Sequence, residues 1–156
     1  MHMLQNSRMI LIAAALALLP IPAERASAHD NHASYAAGEP GDPKKPSREI
    51  IVEMGDRYYH PKQLQVKRGE QVRFVLRNDG HEDHEFLLAT TAENLKHAEM
   101  MKKNPGMEHA EPNGLQLAPK KSGEIVWKFT KAGTFEFSCL IEGHREDGMT
   151  GTVVVK

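Results

Sequence analysis

One thiol, one imidazole and one thioether occur in order near the C-terminus, as Cys139, His144 and Met149, with four residues between each pair. They lie in TFEFSCLIEGHREDGMTGT, residues 134–152, where the chain leaves one apolar alternating run and enters another. Cys139 is the only cysteine, so it cannot close an internal disulfide. A thiolate with imidazoles and a weak axial thioether suits copper, which must be tolerated in two oxidation states, and two His, one Cys and a distant Met describe a blue copper site. Zinc also accepts Cys and His and is the disfavoured alternative. An inert buried thiol is the plain reading of Cys139, and the His and Met downstream argue against it.

The second imidazole must come from elsewhere in the chain. His84 in NDGHEDHEFLL, residues 78–88, opens an apolar run after a polar turn. Alternate residues of a strand share a face. His84 is therefore in register with Phe86 and Leu88, and Cys139 with Phe135 and Phe137, so two strands each end in a ligand above an apolar face. His81 falls in the turn, and Glu85 should point away from the ligand face.

With these residues in view, the chain resembles the cupredoxins, the small blue copper proteins, over roughly residues 48–156. The Cys-x4-His-x4-Met element with an upstream His carries the resemblance. The DHEF segment and a Met- and His-containing insertion are most similar to the periplasmic copper-resistance cupredoxins. The resemblance implies an all-β Greek-key sandwich with one short helical insertion. It also implies a type 1 copper held by His84, Cys139, His144 and Met149, with His144 near the surface as the electron's exit. Many members carry an Asn after the upstream His, which helps tie the two ligand segments together. Glu85 stands there instead, which leaves the surroundings of the thiolate open and makes its carboxylate an alternative ligand.

The elements that must position the site follow from alternation and turn residues. Residues 49–54 put Ile50, Val52 and Met54 on one face, and residues 58–66 read as an irregular strand broken at Pro61. Residues 71–77 turn Val72, Phe74 and Leu76 inward before the Asn78-Asp79-Gly80 turn. Further strands are expected at 115–118, at 124–130 with Ile125, Trp127 and Phe129 in phase, at 133–139 and at 151–156. Residues 91–103 form the one convincing helix, with Thr91 as its cap and Leu95, Ala98 and Met101 as its buried stripe. His60 has no evident chemical partner and reads as structural.

Upstream, residues 1–28 combine Arg8, an apolar stretch from Met9 to Leu19 and an Ala26-Ser27-Ala28 end, the pattern of a secretory signal peptide, which places the protein in the periplasm. The apolar stretch is too short for a membrane span. Cleavage leaves 128 residues with 18 Lys and Arg against 20 Asp and Glu, a balance that suggests neither nucleic-acid binding nor membrane adhesion. Residues 29–47, rich in Gly, Pro and Ala, are expected as a flexible tail before a cupredoxin domain at 48–156. His29 and His32 at the new N-terminus add only weak, incidental metal affinity.

The insertion holds His97, Met100, Met101, Met107 and His109 within 13 positions. A second copper site there is weighed against core filling by Met101 and solvated histidines, and the latter is preferred. The function expected is copper tolerance by a monomeric, non-enzymatic, redox-active copper protein whose partners are redox or copper-handling proteins. A diffusible electron carrier and a cuprous oxidase are the alternatives. An oxidase usually needs further copper centres, and a second Cys-His cluster is absent from the sequence.

Overall fold

A computed structural model describes residues 35–104 and 111–156. The strands are β1 (Glu39–Pro40), β2 (Arg48–Gly55), β3 (Tyr58–His60), β4 (Gln63–Val66), β5 (Gln71–Asn78) and β6 (His84–Ala89). After the helix α1 (Thr91–Lys103) come β7 (Gly114–Leu117), β8 (Ser122–Lys128), β9 (Gly133–Ser138) and β10 (Thr150–Val155). They build two five-stranded sheets, ordered β1-β8-β5-β2-β3 and β4-β10-β9-β6-β7. The all-β two-sheet sandwich with one helix is as expected. Most pairs are antiparallel, but β2 runs parallel to β5 and β4 parallel to β10.

Alternation decides which residues meet between the sheets. Val52, Met54, Val72, Phe74, Leu76 and Trp127 of one sheet are fully buried, as are Phe86, Leu88, Phe137 and Val153 of the other. Phe137 sits at the centre of an aromatic cluster. Its ring stacks on Phe86 at 5.0 Å between centroids and meets Tyr59 edge-on at 5.0 Å. Across the ladder it faces Gly151, where a Cβ would lie 2.1 Å from the Phe137 ring. The glycine is therefore a requirement of the packing.

Three expectations are corrected. Residues 58–66 form two strands of different sheets rather than one irregular strand, because Pro61 offers no N–H to a ladder and the chain changes sheets there. The helix is capped by Thr90, one residue earlier than expected, in a reciprocal capping box with Glu93. Its inward residue is Asn94, fully buried, while Leu95 is 49% exposed. Asn94 donates its side-chain amide to the Glu136 carboxylate of β9 at 3.1 Å, so a polar anchor sets the helix face.

Residues 35–47 also differ from the tail expected. Ala37 is fully buried, the Tyr35 ring meets Trp127 edge-on at 5.3 Å, and β1 pairs with β8. Gln71 holds this segment by accepting from the Asp42 N–H and donating to the Asp42 and Lys45 carbonyls. Edge pairing and side-chain hydrogen bonds do here what apolar composition could not. The expected signal peptide, His29 and His32 lie outside the described residues, as do Met107 and His109.

Phe137→Ala should lower stability by about 3–5 kcal/mol, the cost of removing a buried phenyl ring and leaving a cavity. Urea unfolding of the metal-free protein checks this, and a loss under about 1 kcal/mol would mean that the aromatic cluster does not support this end of the sandwich.

Candidate metal centre

Antiparallel pairing of β6 with β9 brings the two ligand segments side by side. Leu87 lies opposite Ser138 and Leu88 opposite Phe137. Continuing that register past the strand ends carries His84 and Cys139 to one end of the sandwich. The chain then turns through residues 140–149, where the His144 N–H donates to the Ile141 carbonyl at 3.0 Å and the Met149 N–H to the His144 carbonyl at 3.0 Å. Gly143 and Gly148 adopt φ of 83° and 95°, which glycine reaches without a Cβ clash. The Cys139 N–H donates to the Met149 carbonyl at 3.1 Å, closing the loop back on its start.

The donor atoms converge. His84 Nδ1 lies 3.3 Å from His144 Nδ1, which lies 3.3 Å from Cys139 Sγ. Among the described residues, these three form the one group of three or more His, Cys, Asp or Glu placed to hold a metal ion, with donor atoms within 4.8 Å of one another. An ion about 2.0–2.3 Å from each donor, the range of zinc bonds to nitrogen and sulfur, fits between atoms so spaced. His84 and Cys139 are fully buried and His144 is 4% exposed. Met149 is fully buried in the same loop and tied through its backbone to both Cys139 and His144. His144, expected near the surface, is thus almost covered.

Glu85 takes a part that the sequence left open. Its N–H donates to Cys139 Sγ at 3.4 Å, and its carboxylate accepts from the Leu140 N–H at 3.2 Å. One residue thereby ties the strand carrying His84 to the loop carrying Cys139. The buried Tyr59 hydroxyl donates to the Glu85 carbonyl from the opposite sheet. A second clamp is Glu136, whose carboxylate accepts from Arg145 at 3.0 and 2.9 Å, from Thr91 at 3.1 Å and from Asn94. The ligand loop and the helix are thus fixed to the same strand.

Other groups at the site were not evident in the sequence. Asp56 and Arg57, in the turn between β2 and β3, reach the histidines and their neighbours. Asp56 Oδ1 lies 3.1 Å from His84 Nε2, and Glu82 Oε2 lies 3.4 Å from His144 Nε2. Arg57 pairs with Glu82 at 3.2 Å and with Asp147 at 3.1 Å. Asp56 and Arg57 lie far upstream of His84 in the chain, and only the β2–β5 pairing brings them near it. Gly-Asp-Arg-Tyr at 55–58 reads locally as an ordinary turn.

The insertion gives a weaker picture. His97 and Met101 are half-buried on one helical face while Met100 is exposed. His97 helps to line a cavity of about 180 Å³ with Tyr35, Asn94, Glu111 and Asn113. Among the described residues this region contains no further cluster of the metal-holding kind. His60 is exposed, opposite Glu53 in the ladder.

Burial governs the protonation of the site. It pushes the Cys139 thiol up from 9.0 to about 11, and N–H donation from Glu85 and Ile141 only partly offsets this. Burial likewise lowers His144, helped by the Arg57 charge and by His84. At neutral pH the metal-free site therefore holds a neutral imidazole at His144 and a protonated thiol, which must lose its proton when a metal binds. Hydrogen bonds from the His81 ring and N–H, and then from His84, hold the Asp56 carboxyl well below the usual carboxylate range.

Residues 9–155 match the cupredoxin-like domain family, and the chain belongs to that family. It is 50% identical over 132 residues to the copper-resistant cuproprotein CopI of Rubrivivax gelatinosus, covering 84% of this chain and 80% of that protein. It is 35% identical over 150 residues to the protein of the same name from Pseudomonas aeruginosa, covering 78% of this chain and 83% of that one. The fold is similar to that of dithionite-reduced auracyanin from the photosynthetic bacterium Roseiflexus castenholzii. That match has a TM-score of 0.61 at 20% identity and covers 72% of this chain and 99% of that one.

A thiol bound more tightly to its proton in the folded state stabilises that state below the unfolded value and ceases to do so above the folded one. The metal-free protein should accordingly lose stability between pH 9.0 and about 11. Urea midpoints across that window should fall more steeply for the wild type than for Cys139→Ala, in which the other titrations are retained. Parallel curves would mean that the thiol is not desolvated.

Proposed function

We propose that this chain is a periplasmic copper-tolerance protein that holds one type 1 copper ion. The observation that carries the reading is the buried convergence of His84 Nδ1, His144 Nδ1 and Cys139 Sγ at one end of the sandwich. Cys139 would hold the ion through its thiolate and His84 and His144 through imidazole nitrogens, with the Met149 thioether as a weaker fourth ligand. When bound, copper supplies one-electron chemistry between Cu(I) and Cu(II). The chain's own contribution is rigidity. Glu85, Tyr59 and Glu136 fix the ligand segments from three directions, so the donors need not rearrange when the charge of the ion changes.

The naming of two relatives as copper-resistant cuproproteins supports tolerance as the physiological role. The surface over His144 favours the same reading over a diffusible electron carrier. Such a carrier docks through an apolar patch around its exit histidine, whereas His144 Nε2 here faces Glu82, with Arg57 and Asp147 beyond it. The signal-peptide pattern of residues 1–28 supports export. No described helix is long and apolar enough to cross a membrane.

Addition of Cu(II) to the protein lacking residues 1–28 should produce an intense thiolate-to-copper absorption band that ascorbate bleaches. Cys139→Ser should abolish the band, and Met149→Leu should keep it while raising the reduction potential. A Cys139→Ser variant that still shows the band would sink the ligand assignment. In cells lacking the gene, wild-type chain but not Cys139→Ser should restore growth on copper. Rapid oxygen consumption with Cu(I) would move the reading to a cuprous oxidase.

A further inference from the structure

The two imidazoles bring their Nδ1 atoms together beside the thiol, and each has a carboxylate behind its other nitrogen. His84 Nε2 lies 3.1 Å from Asp56 Oδ1, and His144 Nε2 lies 3.4 Å from Glu82 Oε2. Neither contact is casual. Asp56 is held independently of His84, since Oδ1 accepts from the His81 N–H at 2.8 Å and from the Glu82 N–H at 3.4 Å while Oδ2 meets His81 Nδ1 at 3.0 Å. Gly80 makes the approach possible. A Cβ there would lie 2.2 Å from Asp56 Oδ1 and 2.7 Å from His84 Nε2. Asn78 fixes that glycine by accepting from its N–H at 2.9 Å and donating to the Glu82 carbonyl at 2.8 Å.

The two carboxylates are not equivalent. Among the described residues Asp56 takes its hydrogen bonds from the 81–84 segment, whereas Glu82 is partly neutralised by Arg57, which also holds Asp147. The turn between β2 and β3 thus presents an anion to one imidazole and a cation to the anion behind the other.

Resting on the copper site proposed above, we propose that Asp56 and Arg57 are opposed positioning residues which set how strongly the centre prefers Cu(II) over Cu(I). A carboxylate accepting the Nε2 proton fixes the tautomer with the lone pair on Nδ1 and makes that nitrogen a stronger donor. Its negative charge, held behind the imidazole, would also stabilise the more highly charged oxidation state. Arg57 acts in the other direction, since its cation offsets Glu82 and Asp147 and so favours Cu(I). The pair lies on one turn outside the ligand segments, so the preference can be set without altering a ligand.

The test compares Asp56→Asn and Arg57→Gln in the copper-loaded mature protein, reading the reduction potential and the affinities for Cu(II) and Cu(I). Asp56→Asn removes the charge and keeps an oxygen acceptor for His84 Nε2, while the atom facing His81 Nδ1 becomes an amide donor. It should raise the potential and weaken Cu(II) binding by roughly 10- to 100-fold, the usual cost of losing a partner that orients a metal-bound histidine, with a smaller effect on Cu(I). Arg57→Gln should lower the potential. Shifts of the same sign in both variants, or no shift in either while the absorption band persists, would overturn the proposal and leave the copper site standing. A wild-type protein that forms no such band would overturn both together.

Discussion

The structure depends on burying three polar donors, His84 Nδ1, His144 Nδ1 and Cys139 Sγ, facing one another at one end of the sandwich. Buried polar groups are costly unless hydrogen-bonded, and burial is the main cause that raises the Cys139 thiol from 9.0 to about 11. The site is tolerable because each donor has a partner outside the convergence point. Cys139 Sγ accepts from the Glu85 N–H, and His84 and His144 turn Nε2 toward Asp56 and Glu82. Remove those partners and the three side chains would have reason to rotate apart. Hydrogen bonds and ion-pair contacts of the chain thus hold the donor set from outside.

Position is transmitted to the site through a few strands. The stacked Phe86 and Phe137 rings stand directly below His84 and Cys139 in strand register, and Tyr59 reaches from the other sheet to both rings and to the Glu85 carbonyl. Glu136 extends the same rigidity to the ligand loop through Arg145 and to the helix through Asn94. The exposed ion pairs of Arg57 contribute little stability individually. Their importance lies in where they place charge relative to His144, and this charged cover distinguishes the site from a surface built for apolar docking.

Much of this is legible in the sequence because strand alternation and ligand chemistry are local. Period-two runs place Val72, Phe74 and Leu76 inward, and the phase of Phe86 and Leu88 singles out His84 over His81. Legibility fails where contacts depend on pairing between distant strands. Asp56 and Arg57 sit in a turn whose residue types are ordinary, and the parallel pairing of β2 with β5 that carries them toward His84 has no local signature. Leu95 fails for another reason: apolar spacing points it inward, whereas the Asn94 bond to Glu136 defines the helix face. Residues 35–47 resemble a tail because their attachment is made by backbone pairing and by Gln71 rather than by apolar bulk.

The central claim is that these particular side chains bind copper together, and X-ray absorption at the copper edge of the loaded protein measures that most directly. The account predicts one short copper–sulfur bond and two imidazole nitrogens bound to the ion, with the sulfur lost and the imidazoles retained in Cys139→Ser. Nitrogen and oxygen neighbours alone in the wild type would contradict it, since copper would then be bound without the thiol around which the site is built.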